Sequence, residues 1–456
     1  MQEYSRELAR FCAGISIAGI PPEVIDKTKL CILDCIANIY GSWKLEAVRN
    51  VAGYIRSQGE EGPATIIGEQ IQTSVRSAAF INGTAAEAIE AQDGLRFGGN
   101  HPGTAVIPAA FALAEQKGRN GVALIEAVIA GYEAANRPAS AMHPYHTLSG
   151  FLPTGTCGAF GAAAAAAKLS GFDVEKTLNA ISNAGYLLPL SMAEQLMGGH
   201  TVKIVQGGQA AVAGITAAGL AGAGITGHPR VFEGSELKGG FTQITSRGEP
   251  VFDRLTEKLG EHYTIMDIYF KPYTACRHTH GAIQAALKLR NGQGIAAGDI
   301  DAVNVFTYGI ALIAVGKGVK AGDSFVSAQF SIPYTVAAAL VSGEVGPLQL
   351  RRESMEDPTI LDLAGRVTVT MDEELNGRYP EVTASRVEVV LKNGTKLVEQ
   401  TDIPAGDPRD PMGWDEISEK VRRFAGTRDT GRIEKAIDMI RDLEHVGFVP
   451  ELMDIL

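Results

Sequence analysis

The chain has 456 residues, about three times the ~150 of a typical single domain, so two domains are expected. Hydrophobic residues make up 45% and charged residues 20%, a balance that excludes a disordered chain. With 41 basic against 52 acidic side chains the net charge is -11, which argues against nucleic acid or an acidic membrane as the partner, because either requires a basic face.

The first ten residues carry Glu3, Arg6, Glu7 and Arg10 with no apolar run, so no signal peptide is read there and a cytoplasmic location is expected. Five scattered cysteines without CxxC spacing suggest neither a disulfide framework nor a zinc knuckle. From Arg6 to about Gly260 the periodicity is helical, over 22–40, 75–91, 107–116 and 121–135, with Pro22 and Pro108 expected in first turns. Loops are expected at 93–104, 137–156 and 196–205. The stretch 204–229 has no Asp, Glu, Lys or Arg and is long enough to span a bilayer. Its Gly, Ala, Thr and Gln residues transfer poorly to lipid, so it reads as a helix buried among other helices.

After Ile265 short β-branched alternations begin, at 302–307, 366–371, 387–391 and 395–399, with Asn393-Gly394 as a hairpin turn. Helical runs at 279–290 and 327–341 are interleaved with them, and helical periodicity returns over 414–443. The expected fold is mainly α with a second α+β domain. Residues 1–265 with 405–456 form the helical domain, and 266–404 the α+β domain.

Nucleotide motifs fail. The GxGxxG match at 222–227 ends a helical run instead of following a strand, and Gly316-Lys317 is followed by Gly318 where a phosphate loop needs Ser or Thr. His278 and His280 share the spacing of some metal ligands, but no carboxylate ligand stands beside them, so a loop before a helix is the plainer reading.

Four polar groups interrupt apolar surroundings, where buried charge is costly unless paired or used. Asp93, Arg96 and His101 lie in a loop that enters a helix. Lys203 is the only Lys or Arg between Glu194 and Arg230, at a helix start where a cation opposes the dipole unless an anion binds there. Tyr145 and His146 follow Pro144, which forbids a regular helix. A phenol acidified by a nearby lysine exchanges protons with carbon acids. Lys271 to His280 gathers two cations, two imidazoles and a thiol at the domain boundary, where ligand clefts are favoured. Lys271, partly desolvated and near Arg277, is expected to act as a base.

At these residues the chain resembles the MmgE/PrpD family over nearly its whole length. The landmarks are Asn82-Gly83-Thr84-Ala85-Ala86, His101-Pro102-Gly103 leading to Val106-Ile107-Pro108, Gly150-Phe151 with Pro153-Thr154-Gly155-Thr156, and Lys271-Pro272-Tyr273 with Cys276-Arg277-His278. The resemblance implies a helical domain built from both chain ends, a homodimer, no metal or organic cofactor, and proton transfer beside a carboxylate in small di- or tricarboxylic acids. His101, Lys203 and Lys271 keep the family's pattern. Lyase-type members read Leu-Asp-Phe-Asp-Asp-Thr where this chain has Ile89-Glu90-Ala91-Gln92-Asp93-Gly94, and a histidine where it has Leu152.

Loss of an imidazole and a hydroxyl, with cations and a base retained, favours epimerisation, which has no leaving group. The expected activity is therefore a cofactor-independent epimerase, with iminodisuccinate as the best substrate. The alternative is a hydro-lyase resembling 2-methylcitrate dehydratase, and a binding protein for polycarboxylates is the reading from another class. Lys271, Tyr145 and His101 are the expected catalytic residues. Lys203, Arg96, Asp93, His146, Arg277 and His278 are expected to hold the substrate.

Overall fold

The computed structural model describes residues 3–247 and 250–456. Its larger layer is helical: α1 (Pro22–Ser42), α2 (Val75–Ala88), α3 (Gly103–Gln116), α4 (Gly121–Met142), α5 (Pro153–Leu169), α6 (Val174–Leu187) and α7 (Gln206–Gly222). The uncharged α7 is long and apolar enough, together with the turn Thr201–Val205 before it, to cross a membrane by length and composition. Here it packs against α2, α3, α5 and α6. Small side chains make that packing close: a Cβ on Gly83 of α2 would stand 2.7 Å from the Gly208 Cα of α7.

The second layer follows α8 (His280–Gln293), with α9 (Ile332–Ser342). Its sheet holds β3 (Ile300–Thr307), β4 (Val367–Met371), β5 (Ser385–Leu391) and β6 (Lys396–Thr401) in the order β4-β3-β5-β6. β3 runs parallel to β4 and antiparallel to β5, and β5 and β6 form a hairpin through Asn393-Gly394. Gly394 takes φ 87°, which the turn requires. Val303, Val305, Val387 and Val389 alternate inward beneath α8, as a half-buried sheet demands.

Two connections converge on the loop after α2. A short pair, β1 (Gly94–Leu95) and β2 (Ile268–Tyr269), is antiparallel with Gly94 opposite Tyr269, and ties this loop to the entry of the second layer. The helices α10 (Trp414–Ala425) and α11 (Thr430–Arg441) pack back on α1, and Lys420 donates to Asp34 at 2.6 Å and to the Ala91 carbonyl at 2.6 Å.

Several boundaries depart from the expectations. Pro108 lies inside α3, which begins at Gly103, and α4 continues through Pro138 to Met142, because buried packing on neighbouring helices outweighs the missing N–H bonds. Tyr145–Leu148 is a one-turn helix with Pro144 at its N-cap, where a missing N–H costs nothing. The run at 327–341 divides into Phe325–Gln329 and α9.

Candidate active site

Glu90 is the centre of the polar cluster. It follows α2 in a left-handed conformation, φ 56°, which a side chain other than glycine adopts at a cost of about 1 kcal/mol or more. Its buried carboxylate is gripped from two sides. Lys271, fully buried, donates to Glu90 Oε1 at 2.8 Å and to the Glu90 carbonyl at 3.2 Å. Lys203 pairs with Glu90 Oε2, and also with Glu87 Oε1 at 2.7 Å. Against the penalty of burial, Lys203 and then Lys271 hold the Glu90 carboxyl well below the usual range.

His101 completes the group, its Nε2 lying 3.9 Å from Glu90 Oε1. Its Nδ1 is 2.5 Å from the Asp93 carbonyl, which only accepts, so Nδ1 carries the proton and Nε2 is left with a lone pair. Burial, and then the Lys271 charge, push the imidazole down to about 3. His101 is thus a neutral base at physiological pH. The positive side is extended by Arg96: its Nη1 donates to the Glu381 carbonyl at 3.2 Å, while Nη2 is buried with no partner among the described residues. His278 stands close enough to feel Arg96 and Lys271. Burial first, then those charges, push it down to about 4, and its Nδ1 pairs with the Tyr308 hydroxyl at 2.7 Å. Phe330 from the second layer covers Lys203, with its ring centre 5.8 Å from the ammonium.

Sequence reasoning missed Tyr269. It lies across β1 from Gly94, and any side chain at 94 would run into its hydroxyl. A Cβ there would also stand 2.9 Å from His101 Nδ1. The phenol therefore occupies the space beside Gly94, and among the described residues its hydroxyl has no hydrogen-bond partner. Glu87 and Glu90 were also missed as site residues. The signal was available, since an isolated lysine in an uncharged stretch requires a buried carboxylate elsewhere.

Other expected site residues do different work. Asp93 is buried, with Oδ2 accepting from Tyr132 at 2.6 Å and Oδ1 from the Gly103 N–H at 3.2 Å. Burial pushes its carboxyl up to about 7, and its bonds to Tyr132 and Gly103 set the loop that orients His101. His146 uses both ring nitrogens, on Thr245 at 3.0 Å and Thr156 at 2.8 Å, so it holds the fold together. The Arg277 guanidinium donates to the carbonyls of Pro404 at 2.7 Å and Ala405 at 2.8 Å and lies over the Tyr269 ring. It steadies that ring, and the charge facing Lys271 is Glu90. Lys271 donates to Glu90 here, where a base facing the substrate was expected. Tyr145 is 43% exposed and has no hydrogen bond to Glu90, His101, Lys203 or Lys271. The partner of Lys203 is the protein's own carboxylate pair, not an anion on helix N–H groups. His278 lies in a 3-10 turn and His280 opens α8, and no three His, Cys, Asp or Glu side chains among the described residues gather as metal ligands.

A family model for the MmgE/PrpD N-terminal domain matches residues 6–253, and one for the C-terminal domain matches 273–445. The chain belongs to the MmgE/PrpD family. It is 27% identical to a cis-aconitate decarboxylase-like protein of Aspergillus oryzae, covering 99% of this chain and 96% of that one. It is 26% identical to the cis-aconitate decarboxylase of Aspergillus terreus, covering 99% and 95%. The 2-methylcitrate dehydratase of Cupriavidus necator is 28% identical over 42% of this chain and 40% of its own length. MmgE/PrpD members thus include lyases named for small tricarboxylic acids, and none of these relatives is an epimerase.

Proposed function

We propose that the chain is a cofactor-independent lyase that eliminates a group beside a carboxylate of a small tricarboxylic acid, in the manner of a hydro-lyase. The observation that carries this reading is the meeting of a neutral base, His101 Nε2, with the Tyr269 hydroxyl beside Gly94 and with two cations, Lys203 and Lys271, at Glu90. The cations hold carboxylates and stabilise the negative charge that develops when the carbon loses its proton. His101 Nε2 takes that proton. The bond to the leaving hydroxyl then breaks as Tyr269 gives it a proton, so one water leaves and a carbon-carbon double bond forms. The Tyr269 phenolate recovers a proton from the His101 imidazolium, directly or through water, which restores both groups.

The epimerase reading rests on a missing hydroxyl and a missing imidazole. Tyr269 supplies a hydroxyl, which weakens that argument. The apolar Leu152, at the N-cap of α5 with its N–H donating to the Ser191 carbonyl at 2.7 Å, still favours a site with one acid fewer, so epimerisation is kept as the second reading. The homodimer stays within the proposal. Leu148, Leu190, Met192, Val202 and Ile244 are exposed apolar side chains on neighbouring segments, joined by the Ala193 N–H to the Gly150 carbonyl at 2.8 Å and the Arg247 N–H to Ser149 Oγ at 2.9 Å.

Proton NMR in deuterium oxide with citrate, 2-methylcitrate, cis-aconitate and a panel of dicarboxylates tests the reading. Loss of water or carbon dioxide from a tricarboxylate is the expected result. Exchange of an α-hydrogen without elimination would replace the lyase with the epimerase, and silence on every acid would leave a binding protein.

A further inference from the structure

The proposed elimination uses His101, Tyr269 and the cations, and leaves Glu87 without a task. Its side chain is wholly buried at the end of α2. The two carboxyl oxygens have unlike surroundings. Oε1 accepts from Lys203 at 2.7 Å and from Gln206 Nε2 at 2.7 Å, and Gln206 is in turn held by Ser191, whose hydroxyl donates to its Oε1 at 2.8 Å. Oε2 is buried with no partner among the described residues. An ionised carboxylate spreads its charge over both oxygens, so this arrangement would strand half a charge away from any donor. A carboxylic acid has one carbonyl-like oxygen that accepts twice and one hydroxyl, and fits the asymmetry.

The charge count leads to the same state. Lys203 and Lys271 bring two positive charges and Glu90 one negative charge. With Glu87 neutral, the buried group keeps one positive charge, which a substrate carboxylate cancels. With Glu87 ionised, the group is already neutral, and an incoming carboxylate would leave a buried negative charge.

We propose that Glu87 is a neutral carboxylic acid at physiological pH, and that its proton keeps the Lys203 ammonium available to a substrate carboxylate. Glu87 is on this account a positioning residue acting through Lys203, and the inference rests on the carboxylate-binding role proposed for that lysine. Burial pushes the Glu87 carboxyl up, Lys203 opposes that, and Glu90 adds to it. The charged groups facing it are Lys203, from the turn before α7, and Glu90, from its own loop. Helix α7 offers only the Gln206 amide, α3 follows His101, which is neutral, and the acid of α1, Asp34, is matched by Lys420.

The test combines ligand affinity with infrared spectroscopy. For the wild type, affinity for the unreactive propane-1,2,3-tricarboxylate should be constant with pH up to the point where Glu87 ionises, then fall about tenfold per pH unit. Glu87→Gln cannot ionise there and should show no such fall. At neutral pH Asp93→Asn should show the carbonyl stretch of a protonated carboxyl, and adding Glu87→Gln to that variant should remove it. Asp93→Asn is the background because burial pushes the Asp93 carboxyl up to about 7, so Asp93 gives a carboxyl band of its own at neutral pH. Glu87→Gln binding more than tenfold tighter than wild type at pH 7, or keeping the alkaline fall, would overturn the proposal. So would absence of the carboxyl band from Asp93→Asn, whatever the ligand does. A band that is present in a protein binding no carboxylate would leave the proton on Glu87 but overturn the use assigned to it, together with the functional reading.

Discussion

Glu90 combines two costs, a left-handed backbone and a buried carboxylate, and both are sustained by the lysines that converge on it. Strain of this kind persists only where surrounding contacts fix it, and here those contacts come from residues 113 and 181 positions away. Tyr269 is the residue whose role is most open to direct measurement. Its ring is steadied by Arg277 and its strand by pairing with β1, so removing the hydroxyl should leave the pocket intact. If that hydroxyl protonates the leaving group, Tyr269→Phe should lower kcat by about a hundredfold or more with little change in KM. Solvent-deuterium exchange of the hydrogen taken by His101 should survive in the variant, because proton removal precedes the lost step. Normal turnover would remove Tyr269 from the mechanism.

At the scale of elements, the helix α2 carries Glu87 and presents Glu90, and its position is set by α7 through glycine on each side. A Cβ at Gly83 would meet the Gly208 backbone at 2.7 Å and 2.8 Å and the Thr104 carbonyl at 2.9 Å, none of which is a flexible side-chain end. Gly83→Ala should therefore force the helices apart, lowering stability by about 1–3 kcal/mol in chemical denaturation and weakening substrate binding by displacing Lys203 from the two glutamates. Unchanged stability and KM would show that α2 can shift freely. Much of the second layer was legible from local pattern. The alternation of Val303, Val305, Val387 and Val389 and the turn at Asn393-Gly394 are determined within a few residues, and the strands lie close to where the pattern puts them. Pro108 misled because a helix interior tolerates proline when burial on several sides compensates. His146 and Arg277 misled for another reason: their residue types suit a ligand, and only the tertiary structure brings up Thr156, Thr245, Pro404 and Ala405 to occupy them. Lys203 and His101 were readable because charge isolation is a property of the chain itself, whereas the carboxylates that meet Lys203 depend on the packing of α2 against α7.

At the scale of the whole molecule, the chain's far end reaches the site through one buried ion pair. Lys420 on α10 donates to Asp34 on α1 and to the Ala91 carbonyl, in the loop between Glu90 and Asp93. Both side chains are 1% exposed. Burial pushes Asp34 up and Lys420 down, toward their neutral forms, and each opposite charge resists that shift. Removing one partner leaves the other stranded, so Lys420→Met should destabilise the protein by about 3–5 kcal/mol near neutral pH. In the variant Asp34 keeps only the Asn38 amide at 3.0 Å, and its folded-state carboxyl rises further above the unfolded value of 3.8. A raised carboxyl binds its proton more tightly in the folded than in the unfolded state. Stability from that group is therefore full below the unfolded value and is lost as pH rises through the folded one. Relative to wild type, Lys420→Met should consequently be closer in stability at pH 5 than at pH 8. The double variant Lys420→Met, Asp34→Asn removes the stranded charge and should recover most of the loss at pH 8. It does not restore the bond to Ala91, so kcat/KM should stay below wild type even where stability returns. Denaturation at the two pH values separates the effects, and a double variant as unstable as the single one would mean that the pair is not what joins α10 to the site.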